Sequence, residues 1–250
     1  MPNPKKERLN VHSGAEMNLF RSRGNSYFVV GMTHRALRYA KHACMALAAA
    51  TTALPGSAVA QTYHVDAQVS DIHWLVYTAG VFAHFGHNHV ISVSEVSGTV
   101  TRRISTEGST FELSIPVSSL VVDEPSLRAH HGEDFRSEPS AKDISGTRRH
   151  MLGDRVLDVA HYPTIRVHGE VRAGEIDSDL LSITVQMLGR NIRLSVPARV
   201  EIEGNALIAS GEFSVTHAEL GMEPYRAVLG MLAVSPRIDF FYRVRAIKAE

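Results

Sequence analysis

Apolar and polar residues alternate along this chain from Asp71 almost to its end, and that rhythm leaves few folds open. Over 191–203 the apolar set is Ile192, Leu194, Val196, Ala198, Val200 and Ile202; between them stand Arg193, Ser195, Pro197, Arg199, Glu201 and Glu203. A period of two gives each set its own face of an extended strand, one buried and one wet. Leu232, Val234, Ile238, Phe240, Tyr242 and Val244 keep the same rhythm, interrupted only by Phe241. Shorter runs begin at Ile72 (with Trp74 and Val76), Phe111, Ile165, Leu181 and Leu207. Between His87 and Val100 the apolar parity switches, and a bulge near Ser94-Glu95 accounts for the switch by re-aiming every later side chain. The count is eight strands.

Turn residues at Gly189-Arg190-Asn191 and Glu203-Gly204-Asn205 join neighbouring strands too tightly for anything but antiparallel pairing. Alternation vanishes over 123–160, where Pro125, Pro139 and Gly146 punctuate two short helical stretches, about 126–135 and 140–152. This reads as a helical excursion between the third and fourth strands. Eight antiparallel strands with one apolar face each are covered by a sandwich or by closure into a barrel, whose interior at that size holds side chains or one slender ligand. The fold expected is all-β, an eight-stranded antiparallel barrel.

The first sixty residues read as an address. They hold eight of the 26 Lys and Arg but only two of the 26 Asp and Glu, leaving residues 61–250 with a net charge of about −6. That sign argues against sequence-independent binding to nucleic acid. Arg35, Arg38 and Lys41 precede an apolar run from Ala43 to Leu54, and Ala58-Val59-Ala60 supplies a cleavage site. We therefore divide the chain into an extension, 1–31, ahead of the true start; a signal peptide, 32–60; and a mature domain, 61–250, exported to the periplasm. Cys44, the only cysteine, lies inside the signal, so the mature domain has no disulfide and no thiol chemistry. No later run is long and apolar enough for a membrane-spanning helix.

Five motifs then occur in order: Phe85-Gly86-His87-Asn88-His89-Val90; Val117-Ser118-Ser119-Leu120 with Asp123; Val156 to Ile165; Leu188 to Pro197; and Leu220-Gly221-Met222-Glu223-Pro224. Together they resemble the YceI family of secreted bacterial lipid-binding proteins over residues 62–248. The resemblance implies a lipocalin-like barrel whose pore holds a polyisoprenoid or isoprenoid-quinone-like tail, with no cofactor and no catalysis. One departure is the basic, loop-like stretch Gly146 to His150, where the family pattern suggests a plainer helix.

The inward parity names candidate lumen residues: Trp74, Val76, Phe85, Ile115, Ile183, Val185, Leu194, Phe213 and Phe240. Eleven histidines follow residue 60, and His84, His87 and His89 crowd together. In a strand His87 and His89 share a side, as metal ligands must, and His130 or His131 from the excursion would complete a site. The plainer reading is that they shape a strand start by hydrogen bonding, and it is the one we adopt. A histidine-based metal-binding or stress module is the alternative function. Asp123-Glu124 and Glu133-Asp134 read as solvated loop acids. No nucleophile elbow, phosphate-binding glycine loop or acid–base pair marks an enzyme. An open barrel edge invites a second copy, so a homodimer is also among the expectations.

Overall fold

The computed structural model describes residues 60–103, 108–171, 180–227, 229 and 231–250. The extension and signal peptide expected over 1–60 lie outside them, apart from Ala60. Thirteen strand segments alternate with short helices. They are β1 (Ala60–Val65), β2 (Asp71–Ala79), β3 (His89–Val93), β4 (Ser97–Arg103), β5 (Ser109–Pro116), β6 (Leu120–Val122) and β7 (Thr164–Val171). There follow β8 (Leu180–Met187), β9 (Arg190–Pro197), β10 (Arg199–Glu203), β11 (Ala206–Thr216), β12 (Arg226–Ala227) and β13 (Leu232–Lys248). Helix α1 (Pro125–Arg128), two 3-10 turns and helix α2 (Ala141–Leu152) fill the gap between β6 and β7.

Most of these segments merge into longer, bent strands. β1 and β2 lie end to end along one edge of β13, Tyr63 to Val65 opposite Ala246 to Lys248 and Asp71 to Ala79 opposite Ala233 to Arg243. β3 pairs with β2 while β4 pairs with β1, and β6 pairs with β3 while β5 pairs with β4. β9 pairs with β8 and β10 with β11, and only Ala198 separates them. Apart from the two-residue β12, the segments count as eight strands, each antiparallel to the next, with β11 on the other edge of β13; at Ala198 the wall is continued by the chain alone, since β9 pairs only with β8 and β10 only with β11. The result is an up-and-down barrel, which leaves the apolar parity no exit except inward.

The physical origin of the bends differs from the bulge expected at Ser94-Glu95. The strand is interrupted there: β3 stops at Val93, and the Ser94 amide and hydroxyl donate instead to the Ser119 carbonyl, 3.2 and 2.7 Å away. Ser119 sits at the matching bend between β5 and β6. Two neighbouring strands thus turn at one place, tied by a backbone amide and a serine hydroxyl that share one carbonyl. β1 and β6 carry no alternation signal, because they are too short or too polar to show a run.

The seam between β9 and β10 is set by Pro197, which has no N–H to give a ladder. Its carbonyl accepts from the Tyr242 hydroxyl at 2.6 Å. Burial pushes that hydroxyl up to about 12, so it remains a donor. Gly211 lies directly beneath, and a Cβ there would collide with the Pro197 carbonyl oxygen.

The excursion departs from expectation in its first half: 126–135 is α1 plus two single 3-10 turns. Its second half is a true helix. Ser140 and Asp143 form a reciprocal capping box at the start of α2, and the stretch Gly146 to His150, expected to be loop-like, is helical. Leu127 and Phe135 cover the outer face of β2, β3 and β13 at Leu75, Val90, Tyr77 and Phe241. That explains why Phe241 breaks the rhythm of β13: it is apolar because its outward side is covered.

Gly211→Ala should lower stability by about 1–3 kcal/mol, the cost of overpacking a fitted site. Gly146→Ala, where a Cβ meets nothing within 4 Å on α2, should raise it by up to about 1 kcal/mol, the helix-propensity difference. Calorimetric melting of both variants checks the seam; an undisturbed Gly211→Ala barrel would mean Pro197 does not sit against Gly211.

Candidate functional site: an apolar lumen with a polar end

The inward faces enclose a cavity of about 590 Å³, within the range of small-molecule sites. Trp74, Val76, Ile115, Ile183, Val185, Leu194, Phe213 and Phe240 all line it. Three of them form a continuous aromatic strip: the Trp74 and Phe240 rings are 5.3 Å apart, and Phe240 stacks on Phe213 at 5.2 Å and 8°. Offset aromatic surfaces of this kind present a wide apolar wall with little conformational freedom to lose.

Phe85 does not belong to that wall. The strand begins only at His89, and Phe85 sits in a 3-10 turn, 72% exposed. Its ring packs on the His84 imidazole at 3.9 Å, which places His84 away from the lumen as well.

His87 and His89 do line the cavity, at the end covered by α2. Ladder geometry explains the surroundings of His89. Because Ile91 pairs with Val122, the next residue, Asp123, arrives opposite Val90. Its amide donates to the Val90 carbonyl (2.8 Å), and the Val90 amide donates back to Asp123 Oδ1 (2.9 Å). Asp123 adopts φ 56°, a left-handed conformation that aspartate tolerates better than most residues. Its Oδ2 accepts from His89 Nδ1 at 2.6 Å and its Oδ1 from Arg128 Nη1 at 2.7 Å. His89 Nε2 in turn meets the Thr147 hydroxyl of α2 at 3.2 Å. Arg128, also buried, donates to the carbonyls of Asn88 (2.6 Å) and Ser137 (3.0 Å).

Asp123 is therefore no solvated loop acid. Burial raises its pKa, but the His89 bond and charge, the Val90 amide and Arg128 outweigh that and hold it below the usual carboxylate range. Both ring nitrogens of His89 are engaged, and the His87 and His89 ring centres are 6.5 Å apart. Among the described residues no group of three or more His, Cys, Asp or Glu is placed to hold a metal ion. His131 does not join His87 and His89: its Nε2 lies 3.1 Å from His73 Nε2 on the outer wall, where His73 stacks on Phe241. His130 is exposed in the same turn.

Among the lumen residues that escaped the sequence reading, one is a buried histidine. His217 is 7% exposed, lines the cavity, and its Nδ1 lies 2.9 Å from the Pro236 carbonyl oxygen. The signal was present, since His217 continues the inward parity of Phe213 and Val215.

A family model described as YceI-like domain matches residues 63–246. No curated protein matches the chain. Among solved structures, Burkholderia cenocepacia BcnA superposes with a TM-score of 0.51 at 11% identity, covering 72% of this chain and 98% of that one. A Campylobacter jejuni YCEI protein gives 0.44 at 12% identity over 64% of this chain and 85% of its own.

The Asp123 group makes stability depend on pH with a defined sign. A folded pKa below the unfolded value of about 3.9 contributes stability that is present above that value and lost as pH falls through the folded pKa. Asp123→Asn, which leaves Arg128 buried without its counter-charge, should cost about 3–5 kcal/mol at neutral pH. Denaturant titrations at pH 7 and pH 3 should show the gap to wild type narrowing in acid; a constant gap would mean the charge is not what matters.

Proposed function

This chain belongs to the YceI-like family, and from that premise we propose that its barrel carries or sequesters a polyisoprenoid-type lipid in the periplasm. The observation that carries the reading is the lumen, about 590 Å³ enclosed by Val, Ile, Leu and aromatic side chains. Burying apolar surface contributes about 0.8 kcal/mol per methylene-sized group. Two or three five-carbon units thus reach the roughly 8 kcal/mol of a micromolar complex, with no charged contact required. Branched, unsaturated units match a wall built from branched aliphatic and flat aromatic groups.

The residues around the lumen support binding rather than turnover. His89 is held by Asp123 and capped by Thr147, an arrangement that fastens α2 over one end of the barrel. Export rests on the basic and apolar segments before Gln61 and on the small residues at Ala58 to Ala60. Among the described residues no helix is long and apolar enough to cross a membrane.

Trp74, the only tryptophan, stands in the wall and reports on the lumen. Titration with a short polyprenol should quench its fluorescence saturably. Ile183→Asp should abolish that response, because an unpaired charge in an apolar lumen is costly; Arg193→Gln, on the outward parity of β9, should leave it unchanged. Normal binding by a folded Ile183→Asp protein would remove the lumen from the account.

A further inference from the structure

The hydrogen-bond partners of two lumen histidines fix where their protons lie. A carbonyl oxygen only accepts, so the His217 Nδ1 that faces Pro236 carries its hydrogen, and in the neutral ring Nε2 is a bare lone pair. That nitrogen has no hydrogen-bond partner among the described residues, although the ring is 7% exposed and lines the lumen. The placement is built into the fold. Pro236 falls where the register of β13 shifts against β2, between Val234 and Ile238. The freed Pro236 carbonyl accepts from both the backbone amide and the ring of His217.

The same logic applies to His89. Ionised Asp123 only accepts, so His89 Nδ1 donates, and in the neutral ring Nε2 receives the Thr147 hydroxyl proton. The oxygen of Thr147 is left as an acceptor at the lumen wall. Thr78 and Tyr242 also line the wall, but their hydroxyls donate to Asn88 and Pro197. Arg102, which does carry donors, stands on β4, beyond the strand bend from His89.

We propose that the α2-covered end of the lumen recognises a lipid whose polar end donates a hydrogen bond, an alcohol or hydroquinone hydroxyl. A hydroxyl gives its proton to His217 Nε2, the buried lumen nitrogen left without a partner among the described residues. A carbonyl or ether at the same place instead sets a lone pair against that lone pair and leaves the buried nitrogen unpaired, which costs affinity. This inference rests on the carrier reading and names the chemistry of its ligand.

The test compares the affinities of geranylgeraniol, its methyl ether and a methyl ketone of equal chain length for the folded, untagged protein. The alcohol should bind about tenfold more tightly than either analogue, the worth of one satisfied buried acceptor. In His217→Phe that preference should fall towards unity while ether binding persists. A prenyl hydroquinone set against its quinone then separates the aromatic from the aliphatic hydroxyl. Should His217→Phe fail to fold, the wild type answers alone: the ¹⁵N resonance of His217 Nε2 should move on adding the alcohol and stay still with the ether. Affinities within twofold across the three probes, or a preference that survives in folded His217→Phe, overturn the inference and leave the carrier intact. Failure of every probe to bind removes the carrier reading and this inference together.

Discussion

The apolar parity of each strand must leave water, and curling eight antiparallel strands, four of them bent, around one apolar lumen is how this chain achieves it. The other features depend on that curling. It requires the strands to bend in concert, which they do at Ser94 and Ser119, and it requires a seam where the kinked strand of Pro197 changes partners from β8 to β11. The Tyr242 hydroxyl and the absence of a side chain at Gly211 make that seam passable. Eight strands enclose an interior that side chains can fill or one slender ligand can occupy; here Ile91, Ile115, Val185 and Met187 pack as core while the space beside them stays open. The lumen is thus a consequence of side-chain size as much as of topology.

Against this apolar interior, the burial of Asp123 and Arg128 is the costly element. Their charges are tolerated because each is surrounded by partners: two imidazole or guanidinium donors and a backbone amide for the carboxylate, and two carbonyls besides Asp123 for the guanidinium. The arrangement ties the end of β6, the start of β3 and helix α1 into one unit, and through Thr147 it reaches α2. The helical excursion is therefore held to the barrel by a few well-paired polar groups and by the apolar patch around Phe135.

The strands were legible in the sequence because burial on one face writes itself as alternation, and the parity placed eight of nine wall candidates in the lumen. Phe85 was misread since parity means nothing where the chain has left the sheet. Asp123 was misread for the opposite reason. A carboxylate in a polar stretch looks solvated until a ladder register, invisible in the sequence, delivers it beside His89 and Arg128. His131 shows the same limit, since only the path of the excursion decides whether it meets His87 or His73. His217 stood on the correct parity but isolated at a strand end, and the Pro236 carbonyl that orients it comes from nineteen residues away.

The central claim is that the lumen holds an isoprenoid lipid in the living cell, and native mass spectrometry of untagged protein recovered from its own periplasm addresses it directly. The account predicts a chain beginning at Gln61 and carrying one non-covalent isoprenoid mass, released when the barrel is denatured. A chain with an empty lumen and a stoichiometric transition metal would contradict it.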